Sequence, residues 1–333
     1  MTPTLRALID PLRLAQYNWE ADDVRAAMAH AFAPDAPVRV CHPFGDLQAD
    51  DLYEQLYAPL VIAVPDIERR DTIVVCGTDG GGHDWVGCGG YYTGAFMQPW
   101  LGITPTRRQL ALRFHEFYRV VDGKIVEAHV LWDLPHVMMQ AGVWPMGPSL
   151  GREWQVPGPS TQDGLLHREA DAALSLSSLQ RVTAMLSDMG KHPAAPAEAM
   201  RLEEHWHPRF SWYGPSGIGT QRGVAGFRHG HQIPFLAALP DRRGGYQGEG
   251  HFFAEGNYVA VTGWPNMAMT VTGGGWLGIA PTGAEITMKS LDFWRIEDNV
   301  IRENWVLIDL LDVWNQLGVD VLARMRELVD GPA

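Results

Sequence analysis

The sequence predicts an α+β protein built from two copies of one domain, and three observations support this. The chain has 333 residues, about twice the length of a typical domain. Its second half repeats part of its first half. In each half, helical segments come before a run of strand-like segments, and this order is typical of the α+β class.

The repeat defines the domain organisation. Residues 100–142 align with residues 276–318 without a gap, at a shift of 176, and 18 of the 43 positions are identical. Unrelated segments of ordinary composition would share about 3. We therefore predict a first domain at 1–142, a connector at 143–195 and a second domain at 196–330. The connector contains a predicted helix at about 163–189, which is stopped by Gly190 and then Pro193.

Each copy has the same predicted order of elements. The first copy has helices at 19–33 and 48–64, strands at 71–78, 85–97, 107–121 and 124–132, and a closing helix from Asp133. The second copy has helices at 197–207 and 222–239, strands at 246–254, 257–272, 284–297 and 300–308, and a closing helix from Asp309. Consecutive strands joined by short turns indicate an antiparallel meander.

Composition and charge exclude several partners. The chain has 39 acidic and 26 basic residues and a net charge of −13, which repels phosphate backbones and anionic lipids, so we expect neither nucleic acid nor a membrane as partner. The N-terminus lacks a signal-peptide pattern and the three cysteines lack metal or redox spacing, so we expect a cytoplasmic protein. The 13 tryptophans and 36 glycines favour a domain that walls a cavity for a small molecule.

A hairpin in each copy carries the candidate site. Asp122-Gly123 is typical of a two-residue type I′ turn, and a turn there makes Glu116 face His129 and Tyr118 face Glu127. Alternation along the first strand then gives one apolar face with an acid at its middle. That acid is Glu116 in the first copy and Asp292 in the second, where Trp294 takes the place of Tyr118.

The same register places further polar side chains on the apolar face. On the return strands these are Glu127, His129 and Asp133 in the first copy, and Glu303, Trp305 and Asp309 in the second. An acid on an apolar face is paired, hydrogen-bonded or raised in pKa, and such acids serve general acid–base chemistry. Structural roles stay open: Asp133 and Asp309 as helix N-caps, Glu116 and His129 as a cross-strand pair, and Glu127 and Glu303 as exposed residues at the rim.

The remaining candidates are residues that we expect to line the cavity and two histidine pairs that we do not expect to bind a metal ion. His42, His251 and Trp85 are candidate substrate-binding residues together with Tyr118, Trp294, Trp305, Glu127 and Glu303, although an exposed place on a loop or strand is open for the histidines. Neither His229-Gly230-His231 nor His205-Trp206-His207 has the spacing of a helical ligand pair. We therefore predict no metal and no cofactor.

The motif of both copies resembles a known family. In the first copy it consists of Gly102-Ile103-Thr104-Pro105-Thr106, Tyr118-Arg119-Val120, Ile125-Val126-Glu127, Asp133 and Gln140-Ala141-Gly142. The second copy repeats it from Gly278 to Thr282, in Trp294-Arg295-Ile296 and Ile301-Arg302-Glu303, and at Asp309 and Gln316-Leu317-Gly318. This pattern resembles the SnoaL-like polyketide cyclases, also called ester cyclases, of the NTF2-like superfamily.

The resemblance implies a fold and a chemistry. It implies a cone of curved antiparallel sheet capped by helices in each copy, with the two cones fused as a pseudo-dimer. It also implies an aspartate at the start of the closing helix that acts as acid and base in an aldol ring closure, and this position matches Asp133 and Asp309. The family pattern has Gly after Pro-Thr and Trp two residues after the glutamate, where the first copy has Arg107 and His129 and the second keeps Gly283 and Trp305.

These observations lead to one hypothesis and its rival. The hypothesis is a cofactor-independent cyclase, isomerase or lyase acting on a small carbonyl or polyketide-like compound, with Asp133, Glu116 and His129, or Asp309 and Asp292, moving a proton. The rival is a binding protein without catalysis, in which one or both domains are structural. The chain would act as a monomeric pseudo-dimer or as a homodimer.

Overall fold

The computed structural model describes residues 4–165, 170–192 and 194–330. Both domains have the predicted α+β architecture, in which a six-stranded mixed sheet is covered on its inner face by helices. Among the described residues, none of the helices combines the length and the apolar character needed to cross a membrane.

The first domain contains four helices and six strands. The helices are α1 (Leu5–Asn18), α2 (Ala21–Ala31), α3 (Ala58–Ala63), which a π-helical turn at Tyr53–Tyr57 precedes, and α4 (Leu134–Gln140). The strands are β1 (Pro37–Val40), β2 (Gly45–Gln48), β3 (Glu68–Thr78), β4 (Asp84–Ala95), β5 (Gln109–Val121) and β6 (Lys124–Trp132). Their order in the sheet is β2-β1-β6-β5-β4-β3, and only β1 and β6 run parallel.

The second domain repeats this plan with a more divided sheet. The helices are α5 (Ala172–Met189), α6 (Leu202–His205), α7 (Gly223–Phe227), α8 (Ile233–Ala238), α9 (Leu310–Gln316) and α10 (Val321–Asp330). The strands are β7 (Trp206–Tyr213), β8 (Thr220–Arg222), β9 (Arg243–Gly244), β10 (His251–Glu255), β11 (Tyr258–Thr262), β12 (Met267–Thr270), β13 (Glu285–Met288), β14 (Ser290–Glu297) and β15 (Val300–Ile308). They form a six-stranded sheet, β10-β11-β14-β15-β7-β8, and a three-stranded one, β13-β12-β9.

Several element boundaries differ from the sequence prediction. The predicted strand 257–272 is divided into β11 and β12 by the segment Gly263–Asn266. Helix α1 and the strands β1, β2, β7 and β8 have no counterpart in the prediction. The four strands are short, and short segments with mixed polarity give a weak periodic signal. The connector helix begins at Ala172; residues 166–169 and Pro193, which the prediction also covered, lie outside the described residues.

Helix α5 belongs by its packing to the second sheet. It contacts β10, β11 and β15, as α1 contacts β3 and β4 in the first domain. The side chain of Asp171, at the N-cap of α5, accepts hydrogen bonds from the backbone N–H groups of Ala173 and Leu174. These bonds satisfy donors that the start of a helix leaves free. The predicted domain limits at 142 and 196 stay predictions.

Both hairpins have the predicted turn, but each also has a bulge. Positive φ angles at Asp122 and Gly123 agree with a type I′ turn. One extra residue on the return strand, Val126 in the first copy, shifts the pairing so that Glu116 lies opposite Val130 and Phe117 opposite His129. The second copy has the same bulge at Arg302. Because a shift of one residue turns a strand's side chains to the other face, the predicted faces of both return strands are wrong.

The outer faces of the two sheets pack against each other. Phe117 and its repeat counterpart Phe293 stack with ring centroids 5.1 Å apart, and the Nδ1 of His115 donates to the carbonyl of its counterpart Leu291 at 2.6 Å. Gly87 permits this approach, because a Cβ there would lie 3.0 Å from the rings of Phe117 and Phe293. Contacts between equivalent residues define a pseudo-twofold axis, as in an isologous dimer.

Candidate functional site

In the first domain, Glu116 lies at the centre of the cone and is fully buried. Its carboxylate accepts hydrogen bonds from Arg69 Nη1 at 2.7 Å, Tyr92 OH at 2.8 Å, Tyr118 OH at 2.6 Å and Trp132 Nε1 at 3.2 Å. Four donors, one of them positively charged, satisfy both oxygens of the carboxyl group at this place. Glu116 is therefore a satisfied structural acid.

Aromatic rings fill the space around this carboxylate. Tyr92 packs on Phe114 at 4.6 Å and on Trp132 at 5.6 Å between ring centroids, and Trp19 closes over Tyr92 at 5.6 Å. The guanidinium carbon of Arg69 lies 4.5 Å from the centre of the Phe114 ring. The interior of the first cone is thus a packed core around a buried ion pair.

The second domain lacks these neighbours at the equivalent positions. In the repeat alignment, Phe114 corresponds to Ser290, Trp132 to Ile308 and Tyr118 to Trp294. Strand pairing identifies the counterparts of Tyr92 and Arg69. Tyr92 and Met267 lie opposite residues that the repeat alignment makes equivalent, so Met267 takes the place of Tyr92. Arg69 pairs with Tyr92 and Gly244 pairs with Met267, so Gly244 takes the place of Arg69. Except at Trp294, the side chains at these positions are smaller and leave room in the cone, and among the described residues no arginine pairs with the acid.

A cavity of about 510 Å³ occupies this room, a size typical of small-molecule sites. Helix α5 closes one side with Met185, Leu186 and Met189. The sheet and the helices α7 and α8 supply the remaining wall, which includes Trp206, Trp212, Phe227, His231, Phe235, Arg242, Phe252, Asn266, Met288, Asp292, Trp294, Asn304 and Val306. The lining is mostly apolar with a few convergent polar groups.

Asp292 is the acid of this cavity. It lies on the inner face of β14, opposite Val306, and its Oδ1 is buried without a hydrogen-bond partner. Burial raises the pKa of Asp292 well above its ordinary value, because no neighbouring charge offsets the loss of hydration. The shift favours the protonated form of the side chain, which can donate a proton into the cavity.

Five further polar atoms, which belong to residues that line the cavity, are buried and have no protein partner among the described residues. They are Trp206 Nε1, Trp294 Nε1, His231 Nδ1, Arg242 Nη1 and Asn266 Oδ1. Buried polar atoms are normally hydrogen-bonded, and leaving one unpaired costs about 1–3 kcal/mol. A concentration of them on one cavity wall indicates a surface made for a ligand with polar atoms.

The two closing-helix aspartates lie at the domain interface, on the sheet face opposite to Glu116 and Asp292. Asp133 accepts from Arg113 Nη2 at 2.8 Å and from the backbone and hydroxyl of Ser216, in the other domain. Asp309 accepts from the backbone N–H of His42, in the first domain, at 2.9 Å and from Asp312 N–H at 3.1 Å. Only Asp309 acts as a side-chain N-cap.

His129 and Glu127 also lie at this interface, so the structure does not bring them to Glu116. The bulge at Val126 turns both outward, where His129 Nδ1 bonds Thr262 Oγ1 at 2.6 Å and its Nε2 lies 3.3 Å from Glu127. The hydrogen bond from His129 lowers the pKa of Glu127 to about 2. Burial lowers the pKa of His129 itself.

The same correction applies in the second copy. Glu303 does not face the cavity, because it accepts from Arg295 Nε at 2.6 Å and from Ser160 of the connector. Trp305 donates from Nε1 to the Pro157 carbonyl at 2.9 Å. Both side chains anchor the connector on the outer face of β15.

Of the remaining candidates, His251 and Trp85 meet at the interface with ring centroids 4.9 Å apart. His251 also belongs to the one group suited to a metal ion among the described residues. Asp79, His83 and His251 present ligand atoms within 4.8 Å of one another. Asp79 Oδ2 already accepts from His251 Nδ1 at 2.6 Å, His83 Nδ1 at 3.2 Å and Trp85 Nε1 at 3.2 Å. With its donors placed, this group serves as a hydrogen-bonded link between the domains.

Sequence reasoning thus placed Asp292 and Trp294 in the cavity wall and missed three of its polar residues. Arg242 and Asn266 lie in loops, and His231 lies in a π-helical turn. In such segments neither strand alternation nor helical periodicity predicts which way a side chain points. Strand pairing in the structure shows in addition that Gly244 stands where the first copy has Arg69, the charge partner of its acid.

Comparison with known proteins agrees with this fold. The family model described as SnoaL-like polyketide cyclase matches residues 11–141 and 195–317. Among solved structures, AclR of Streptomyces galilaeus, a proposed hydroxylase, is 19% identical over 41% of this chain and 94% of its own, with a TM-score of 0.35. IdmH of Streptomyces antibioticus, a proposed polyketide cyclase, is 20% identical over 40% of this chain and 96% of its own, also with a TM-score of 0.35.

A further similar structure is an NTF2-like protein of Burkholderia xenovorans, which is 16% identical over 43% of this chain and 96% of its own, with a TM-score of 0.33. Each of these structures thus spans a little under half of this chain. The search among curated proteins found no match.

Proposed function

Because the chain belongs to the SnoaL-like polyketide cyclase family, we propose that its second domain is a cofactor-independent acid–base enzyme acting on a small carbonyl compound. The observation that carries the proposal is Asp292, a half-buried acid on the wall of a cavity of about 510 Å³, whose Oδ1 is buried without a hydrogen-bond partner. Such acids are typical of catalytic sites, where their environment tunes them for proton transfer.

Asp292 supplies both halves of a proton transfer. The neutral carboxylic acid donates its proton to the carbonyl oxygen of the ligand, as a protonated aspartate does in the oxyanion hole of ketosteroid isomerase. The carboxylate so formed then takes a proton from the carbon next to the carbonyl, which leaves the enol and restores the acid. An enol of this kind is the nucleophile of an aldol ring closure and the intermediate of an isomerisation.

The first domain supports the cavity without taking part in the chemistry. Its acid, Glu116, is fully buried and paired with Arg69 at 2.7 Å, so it has no access to a ligand. The interface fixes the second sheet through Asp309 and the loop at His42. This assigns a structural role to one copy and a chemical role to the other.

The test is deuterium exchange next to a carbonyl. A panel of aryl methyl ketones is incubated with the protein in D₂O, and exchange at the methyl group is followed by NMR. We expect Asp292→Asn to lower the rate above background by about a hundredfold or more. Glu285→Gln, which changes an exposed acid on β13, is the matched control and should exchange like the wild type.

Two outcomes contradict the proposal. Exchange that persists in Asp292→Asn but is lost in Asp309→Asn would assign the chemistry to the closing-helix aspartate that the family resemblance implies. Ligand binding without exchange in the wild type would favour the rival function, a binding protein. The apolar wall with Met185, Met189 and Met288 suits such binding as well, because methionine adapts to ligands of different shape.

A further inference from the structure

The cavity contains a cation for which the protein provides no acidic partner among the described residues. Arg242 follows α8 and lies on the cavity wall, where its Nη2 donates to the carbonyl of Met189 at 2.7 Å. Its Nη1 is buried and has no partner, and no ion pair joins Arg242 to a carboxylate among the described residues. The side chain as a whole is half-buried. Withdrawing a charge from water costs free energy, so an unpaired cation on a cavity wall is rarely kept without a use.

Neighbouring groups do not neutralise this guanidinium. Glu249, the other ionisable acid on the wall, turns its carboxylate to the backbone N–H of Trp264 at 3.4 Å and to His251 at 3.6 Å. Burial alone lowers the pKa of Arg242. Burial, together with the charge of Arg242, lowers the pKa of His231 to about 3, so His231 is a neutral neighbour with a free Nδ1.

Arg242 and Asp292 lie on different elements of the wall, since Arg242 follows α8 and Asp292 belongs to β14. Arg242 and His231 influence each other electrostatically, whereas burial is the only cause of the shift in the pKa of Asp292. Most of the other lining residues are apolar or aromatic, with Trp206, Trp212 and Phe235 among them. The lining therefore combines one unpaired cation with a separate acid whose protonated form is favoured by burial.

We propose that the ligand of the second domain is an organic anion, a flat and largely apolar molecule whose carboxylate binds Arg242 while its carbonyl reaches Asp292. This inference rests on the proposed function for the position of the carbonyl. A guanidinium is suited to the carboxylate because it is planar, always charged and presents several donors in fixed directions. The free Nδ1 of His231 adds a second contact beside it.

A matched pair of ligands tests the charge. 2-Naphthoate and its methyl ester share one aromatic body, and calorimetric titration of the full chain measures the dissociation constant of each. We expect the wild type to bind the carboxylate about tenfold or more tightly than the ester, since a charge-assisted hydrogen bond in a buried site is worth at least one decade in affinity. Arg242→Gln should remove this preference, and Arg242→Lys should retain part of it.

The result that overturns the inference is an equal affinity for acid and ester in the wild type, or a preference that Arg242→Gln leaves unchanged. Asp292→Asn separates this inference from the catalytic proposal. It should abolish deuterium exchange and keep the preference for the carboxylate. A preference without exchange in the wild type would leave the anion site in place and remove the catalytic role.

Discussion

The two domains share one fold and one central acid, yet the surroundings of that acid are opposite. In the first domain Glu116 accepts four hydrogen bonds, one of them from Arg69, inside a core of aromatic rings. In the second, Asp292 has an unpaired oxygen on the wall of a cavity. The difference arises from a few neighbouring residues on other strands, Arg69 and Trp132 in one copy and Gly244 and Ile308 in the other.

This comparison teaches that a duplicated domain can divide its tasks. A filled cone is stable by itself, because packing and a satisfied ion pair replace what a ligand would supply. An open cone keeps unpaired polar atoms, which lower the stability of the fold until a ligand forms hydrogen bonds with them. The predictions below test this division, beginning with the largest expected effect.

The first prediction compares the two acids by stability. Glu116→Gln removes the negative charge that faces buried Arg69, and we expect the free energy of unfolding to fall by about 3 kcal/mol. This value is the lower end of the range for a broken buried ion pair, because Asp71 still contacts Arg69 at 3.0 Å. Asp292→Asn should change it by less than about 1 kcal/mol or raise it. Urea denaturation measures both, and equal losses would show that the two acids are not in different environments.

The second prediction converts the open cone toward the filled one. Ile308→Trp introduces the residue that the first domain has at this place, Trp132, and should weaken the binding of 2-naphthoate by about tenfold because the added ring occupies the cavity. The thermal midpoint should stay the same or rise. Undiminished binding in this variant would place the ligand outside the cavity.

The third prediction uses the closing-helix aspartates and their pH dependence. Burial raises the pKa of Asp309 to about 7 from an ordinary value of 3.8. The folded state therefore holds this proton more tightly than the unfolded state, so the contribution of Asp309 to stability falls as the pH rises from about 4 to 7. We therefore expect Asp309→Asn to raise the Tm relative to the wild type, and this increase should be about 2–4 °C larger at pH 8 than at pH 4.5.

The matched control is Asp133→Asn, at the equivalent position of the first copy. Asp133 pairs with Arg113 at 2.8 Å, whereas Lys289 at the place of Arg113 lies 3.8 Å from Asp309. The Asp133 variant should lower the Tm, since it leaves Arg113 without its partner. The same pH response in both variants would contradict the assignment to Asp309.

The fourth prediction concerns the link between the domains and has the smallest expected effect. Burial acts to raise the pKa of Asp79, but hydrogen bonds from His83, His251 and Trp85 outweigh it and lower the pKa to about 2. Its contribution to stability is therefore present above about pH 4 and is lost as the pH falls toward 2. Asp79→Asn should lower the Tm by about 2 °C at pH 7, and the difference should shrink at acid pH.

The sequence predicted the inner faces of β5 and β14 and failed on those of β6 and β15. Alternation along a single strand is a local property, and it placed Glu116 and Asp292 inward as observed. The bulges at Val126 and Arg302 add one residue without changing the turn, so a register counted from the turn is wrong by one beyond them. Glu127, His129 and Asp133 consequently lie on the interface face.

By itself the sequence determined the duplication, the α+β class, the family and the strand face that carries each acid, because these follow from residue identity and local periodicity. Only the tertiary structure decided which cone is filled, since the deciding contacts join residues far apart in the chain, such as Arg69 and Glu116 at 2.7 Å. It also decided which groups stay unpaired. Whether a half-buried charge such as Arg242 has a partner depends on every element packed around it, and no short segment of sequence contains that information.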